Sequence, residues 1–193
     1  MKFVILGSGN GSNAEAILQS WKQGRLGKAV PAAIISDIET ARILTLGDRY
    51  GVPAHFISPG PFKTKMSDEA ELEYVRTIRE AGAGLVVLAG FMRVVHEGIL
   101  HAFPHRIINL HPSLLPSFTG LHAIKQAHDH GVKITGCTVH WVNAGLDTGP
   151  IIDQQAVRIE EGESLESLET KIHAAEHQIL SSVIAKLAND YES

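Results

Sequence analysis

Phe3-Val4-Ile5-Leu6-Gly7-Ser8-Gly9-Asn10-Gly11-Ser12-Asn13 reads as a strand, a tight turn and the start of a helix. Four consecutive apolar residues suit a buried strand, the glycines break it into a tight turn, and Ile17, Leu18 and Trp21 then recur at helical spacing from Ala14 to Lys22. Working outward, Val30 to Ile35 is predicted as a second strand, Ala41 to Tyr50 as a helix stopped by Gly51, and Pro53 to Ile57 as a short extended piece. Ser58-Pro59-Gly60-Pro61 is a loop. Ser67 is placed to cap a helix running to about Glu80, with Asp68 and Glu69 favoured at its positive end. Leu85 to Ala89 and Arg106 to Leu110 are further strands around a helix from Val94 to Phe103, and Lys133 to Val142 and Ile151 to Ile159 follow as strands. Ser164 opens a long helix with Leu165, Leu168, Ile172, Ile179, Val183 and Leu187 on its apolar stripe. Strands separated by helices predict an α/β fold with a mostly parallel sheet.

The chain has 193 residues, 44% of them hydrophobic, enough for one well-packed core, and a single domain over 1–193 is expected. A net charge of −4 with no adjacent Lys/Arg pair points away from nucleic acid and from anionic membranes, so the expected partners are small molecules. The apolar run near the N-terminus is too short for a secretory signal, and no run reaches the roughly 18 apolar residues of a membrane span. One cysteine, Cys137, allows no internal disulfide, and a cytoplasmic setting is expected.

The glycine-rich turn carries the first chemical signal. Glycines let the backbone approach a ligand and free amides at a helix start point at an anion, so a phosphate is the natural guest, with Ser12 and Asn13 adding side-chain donors. The plainer reading is a tight strand-to-helix turn. A dinucleotide fingerprint wants glycine at position 12, which is serine, although Asp37 sits near where a ribose-binding acid would lie.

A second signal is Asn109-Leu110-His111-Pro112-Ser113-Leu114-Leu115-Pro116, with Asp147-Thr148-Gly149-Pro150 further on. A carboxamide, an imidazole and a carboxylate at strand ends can stabilise an oxyanion, move a proton and hold the histidine in its useful state, which suits group transfer at a carbonyl. Singly each residue has a plainer reading: Asn109 as a strand-end turn residue, His111 as a packed loop histidine, Asp147 as a turn former.

With Val87-Leu88-Ala89-Gly90-Phe91-Met92-Arg93 and Glu176-His177 added, the chain closely resembles the folate-dependent glycinamide ribonucleotide transformylase family over nearly its whole length. The Asn-x-His-Pro-Ser-Leu-Leu-Pro element marks the wider formyltransferase superfamily, and the Gly-Asn-Gly-Ser-Asn loop narrows it to a phosphoribosyl substrate. The resemblance implies a Rossmann-like, mostly parallel twisted sheet flanked by helices. Its half at about 1–100 would take the nucleotide phosphate, and its half at about 101–193 the folate and the chemistry. It implies 10-formyltetrahydrofolate as cosubstrate, glycinamide ribonucleotide as acceptor and no metal; oligomeric state leaves no trace in the residues, and a homodimer stays open. Asn109, His111 and Asp147 are the implied catalytic residues, with Asp147 favouring the charged imidazole and ordering a water. Gly11, Ser12, Asn13 and Glu176 would bind the ribonucleotide. Lys65, Phe91, Met92, Arg93, Val94, Val95, Asn109, Asn143, Ala144, Gly145, Leu146 and Asp147 would form the folate cleft, Lys65 standing where the family commonly has arginine and so losing a bidentate fork. Glu176-His177-Gln178-Ile179-Leu180-Ser181 departs from the family's Glu-His-x-Ile-Tyr-Pro.

Rival readings are a hydrolase of 10-formyltetrahydrofolate, a sugar-nucleotide N-formyltransferase, and a non-catalytic nucleotide-binding module. His173-Ala174-Ala175-Glu176-His177 fits an inverted zinc-peptidase helix, but such a site needs a third ligand, and only Asp190 and Glu192 follow, in a tail expected to fray. The remaining histidines, His140 among them, share no ligand spacing and are expected to be solvated or core-satisfied, with His122 a candidate for the active-site loop.

Overall fold

The computed structural model describes residues 1–190. Its strands are β1 (Lys2–Leu6), β2 (Val30–Ser36), β3 (Ala54–Phe56), β4 (Leu85–Leu88), β5 (Ile107–His111), β6 (Ile134–Trp141) and β7 (Ile151–Arg158). They form one seven-stranded sheet in the order β3-β2-β1-β4-β5-β6-β7. The pairs from β3 to β5 are parallel, and β5–β6 and β6–β7 are antiparallel. The helices are α1 (Ser12–Lys22), α2 (Leu46–Tyr50), α3 (Asp68–Glu80), α4 (Glu97–Ala102), α5 (Ala123–His130) and α6 (Leu165–Asp190).

Alternation along β1 shows why this strand is central. Phe3 and Ile5 pack with α1 and α6, while Val4 and Leu6 pack with Tyr74 and Ile78 of α3 and Ile99 of α4. Both faces of the sheet are covered, so the strand reads as a continuous apolar run. The chain leaves β1 toward β2 on one side, and β4 lies on the other. The strand order therefore reverses beside the carboxyl end of β1, where an open α/β sheet leaves a crevice for ligands. Two backbone bonds, Gly7 N–H to the Ile35 carbonyl (3.1 Å) and Ser8 N–H to the Gly90 carbonyl (3.0 Å), hold the loop at that point.

The predicted Ser67 cap forms, its Oγ accepting from the Ala70 amide at 3.2 Å, and Ser164, expected to open the last helix, has its Oγ accepting from the Ser167 amide at 3.2 Å ahead of α6. Three expectations change. Ala41 to Tyr50 is not one helix but a 3₁₀ turn, Arg42–Thr45, followed by α2. The Ile43 amide is taken by the Gly9 carbonyl at 3.2 Å, so a tertiary bond sets the start of this segment. The helix expected from Val94 begins only at Glu97, because the Val94 amide donates to the Thr64 carbonyl at 2.9 Å and keeps the chain extended. Finally, α5 was not predicted; its eight residues bury only Ala123, Ile124 and Ala127, too short an apolar pattern to stand out among polar neighbours. Glu192 lies outside the described residues, and Asp190 ends α6. Among the described residues no helix is long and apolar enough to cross a membrane.

Candidate active site

β5 delivers the first two groups. It pairs antiparallel with β6, placing Asn109 opposite His140 and His111 opposite Thr138. Beyond β5, the Thr138 hydroxyl donates to the Ser113 carbonyl at 2.7 Å and accepts from the Leu115 amide at 3.0 Å, and these bonds fix the Pro112–Leu115 turn. The chain returns through the turn at Asp147, which Gly149 allows to pass against β6: a Cβ at Gly149 would lie 1.7 Å from the Trp141 carbonyl oxygen. Asp147 itself is held at φ 52°, in the left-handed region. Asn143 organises the preceding loop, its Oδ1 accepting from the Gly145 amide and the Thr148 hydroxyl, both at 3.0 Å.

These elements bring Asn109, His111 and Asp147 together. His111 Nδ1 lies 3.4 Å from Asp147 Oδ2, and His111 Nε2 lies 2.9 Å from the Phe118 carbonyl, so each ring nitrogen faces an oxygen. Asp147 Oδ2 also accepts from the Gly120 amide at 2.9 Å. His111 and His140 are buried. In such a site, weakly solvated polar groups interact more strongly than in water.

His140 joins this cluster, which its sequence context did not reveal. Its Nδ1 is 2.9 Å from the Trp141 carbonyl, which can only accept, so Nδ1 carries a proton. Burial pushes the imidazole below its ordinary value, outweighing the Trp141 bond and the Asp147 charge that pull upward; nearby His111 adds to the lowering. A neutral ring protonated at Nδ1 leaves Nε2 as an acceptor. The atom 3.3 Å away is Asn109 Nδ2, so one amide hydrogen of Asn109 is spent on His140 and the other remains to meet a substrate oxygen. The amide orientation of Asn109 is thereby fixed. The signal in the sequence was the register alone: an antiparallel partner for Asn109, invisible until β6 is aligned.

The glycine-rich turn forms the second part of the site. Gly11 adopts φ 76°, and a Cβ there would lie 2.9 Å from Ile43, so this position needs glycine for both conformation and space. No side chain caps α1, which leaves its first amides free for an anion. Ser12 opens the helix. Asn13 Nδ2 donates to Glu176 Oε2 at 3.3 Å across to α6. Burial raises the Glu176 carboxyl above its ordinary value, against the opposing Asn13 bond and the nearby His173 charge. Asn13 Oδ1 is buried without a hydrogen-bond partner.

The segment after β4 connects the two parts. Ser8 Oγ accepts from the Met92 amide at 2.8 Å. Met92 and Val94 are exposed apolar side chains (65% and 46%), as is Leu146 (67%), whereas Val95 is buried in the core and Phe91 packs 5.8 Å from Tyr74. Arg93 turns inward: its Nε donates to Asp37 at 2.7 Å and its guanidinium to the Phe62 and Lys63 carbonyls at 2.7 and 2.6 Å. Asp37 is thus engaged by Arg93 rather than open to a ribose, as the dinucleotide reading requires. Lys65 sits over the Phe62 ring at 4.3 Å, beside the groove between α3 and α4. His173 and His177 lie one turn apart on α6. Among the described residues no group of three or more His, Cys, Asp or Glu is arranged to hold a metal ion.

Comparison with known proteins places this geometry among relatives. Residues 1–184 match the family described as formyl transferase. The chain is 39% identical to phosphoribosylglycinamide formyltransferase of Bacillus subtilis, over 96% of this chain and 94% of that protein. Among solved structures it resembles glycinamide ribonucleotide transformylase 1 from Symbiobacterium toebii (43% identity, TM-score 0.92, 98% of this chain and 88% of that one). It also resembles phosphoribosylglycinamide formyltransferase from Bacillus halodurans (45% identity, TM-score 0.89, 97% and 95% covered).

Proposed function

The chain belongs to the formyl transferase family, and from that premise we propose that it transfers the formyl group of 10-formyltetrahydrofolate to the primary amine of glycinamide ribonucleotide, giving formylglycinamide ribonucleotide in purine synthesis. The observation that carries this reading is the cluster of Asn109, His111, His140 and Asp147 beside a helix start with free amides.

In the reaction the amine nitrogen bonds to the formyl carbon and the carbonyl oxygen takes up negative charge. The free hydrogen of the Asn109 amide meets that oxygen, and a protonated His111 adds a second donor. Collapse breaks the bond to N10 of the folate, whose electron pair takes a proton while the attacking nitrogen loses one. His111, held by Asp147, moves that proton. To do so it exchanges the Phe118 carbonyl for the substrate. The α1 amides with Ser12 and Asn13 take the phosphate, and Glu176 meets the ribose or amine end. Exposed Met92, Val94 and Leu146 supply apolar contact for a pterin ring, with backbone groups of Asn143 to Leu146 reading its edge. Arg93 supports the cleft from behind, and Val95 belongs to its floor. We treat the chain as a single formyltransferase domain working in the cytoplasm. Nothing in the catalytic cluster requires a second copy, so a homodimer is tested by sedimentation rather than by activity.

Folate turnover from 10-formyltetrahydrofolate, followed spectrophotometrically with and without glycinamide ribonucleotide, tests the reading. Turnover is expected to require the ribonucleotide. Turnover with no amine present points to a hydrolase, and turnover only with another phosphorylated amine points to a different acceptor.

A further inference from the structure

We propose that Gln126, on the first turn of α5, is a positioning residue for the catalytic carboxylate; this rests on Asp147 acting in formyl transfer. The Gln126 side-chain amide donates to two carbonyls, those of Thr119 (3.2 Å) and Leu121 (2.8 Å), which flank Gly120. The Thr119 carbonyl and the Gly120 N–H belong to one planar trans peptide unit and point in opposite directions. Holding the carbonyl toward α5 therefore aims the Gly120 N–H the other way, and there it donates to Asp147 Oδ2 at 2.9 Å. The same oxygen faces His111 Nδ1. A side chain with no contact to the reacting groups thus sets the hydrogen bonding of the carboxylate that orients the histidine.

The backbone here needs such a hold. Phe118, His122 and Asp147 are non-glycine residues at positive φ (55°, 58° and 52°), and Gly120 lies between the first two at φ 77°. Left-handed conformations of this kind persist only where surrounding contacts determine them. The Phe118 carbonyl is also the partner of His111 Nε2, so the segment that Gln126 grips touches both ends of the His111–Asp147 pair. The helix itself makes no such demand on residue 126, which is exposed and could be any good helix former.

Three variants test this: Gln126→Met, Gln126→Glu and, as a control for the function itself, Asp147→Asn. Gln126→Met keeps length and helix propensity but donates nothing. Its kcat is expected to fall about tenfold, the scale of the hydrogen bonds lost, with Tm lower by only a few degrees, the protein still fully folded at assay temperature, and the KM for the ribonucleotide near that of the parent. Hydrogen exchange at the Gly120 amide should quicken. Gln126→Glu directs a carboxylate at two carbonyls, so its rate relative to the parent should be lowest at high pH and recover as the carboxyl protonates and donates one hydrogen. A purely structural role would not produce that pH-dependent ratio. A parental kcat in Gln126→Met, or a flat ratio in Gln126→Glu, overturns the proposal while leaving formyl transfer intact if Asp147→Asn is inactive. Absence of formyl transfer in the parent itself would sink the function on which the proposal rests.

Discussion

At the scale of single residues, the site depends on which hydrogen points where. Asp147→Asn keeps the shape of the turn but removes the charge facing His111, and kcat is expected to fall by about two to four orders of magnitude; a rate near that of the parent would take Asp147 out of the mechanism. His140→Leu preserves bulk while removing the acceptor that fixes the Asn109 amide. Its kcat should drop about tenfold, the worth of one such bond in a buried site, with substrate KM values little changed, and equal losses in kcat and binding would argue for general collapse of the pocket. Asn109, His111 and Asp147 could be picked out as candidates because their side-chain chemistry is distinctive and their motifs are contiguous, and the fold brings His111 and Asp147 within 3.4 Å. His140 could not be picked out, since its role arises from lying opposite Asn109 across β5 and β6. Arg93, which the resemblance put in the cleft-lining segment, has a side chain engaged by Asp37 and by the Phe62 and Lys63 carbonyls, partners distant along the chain that the motif could not show.

Among the elements, α1 and its glycine turn form the proposed ribonucleotide site. Replacing Ser12 and Asn13 by alanine should raise the apparent KM for the phosphorylated substrate more than that for the folate, and a matching rise in both would speak against a phosphate at the helix start. Gly11→Ala combines a Cβ 2.9 Å from Ile43 with a left-handed backbone, so it should lower stability even without ligand. On α3, Ser67→Ala removes the Oγ that accepts from the Ala70 amide and should cost about 1 kcal/mol in denaturant unfolding, without touching turnover. Boundaries that depend on local chemistry, such as Ser67, Gly51 and Ser164, could be seen in advance. Those set by tertiary bonds could not: the Ile43 amide is diverted to Gly9 and the Val94 amide to Thr64, which turned one expected helix into a 3₁₀ turn with a short helix and delayed another.

For the molecule as a whole, buried ionisable groups give opposing pH dependences of stability. Burial raises Glu176 above 4.5, so the folded state keeps a proton that the unfolded chain releases; its contribution is full below 4.5 and is lost as pH rises through the raised value. Burial lowers His140 and His177 below 6.5, so the stability linked to their neutral forms is full above 6.5 and is lost as pH falls through the lowered values. Glu176→Gln should remove the first dependence and leave the second. Its Tm should exceed that of the parent at neutral pH and rise with pH toward 6.5, alongside a weaker hold on the ribonucleotide. Thermal unfolding across that range decides the matter, and a variant curve parallel to the parent's would mean that Glu176 is not a strained buried acid. Such couplings exist only after folding, because burial and not residue type creates them. The alternation of strands and helices, the glycine turn and the candidate catalytic motifs were all readable from the residues alone, since each is written in residues close along the chain. The placing of His140 against Asn109, of Arg93 against Asp37, and of the Phe118–Leu121 loop against His111 and Asp147 came from folding, since those contacts join residues from separate strands and loops.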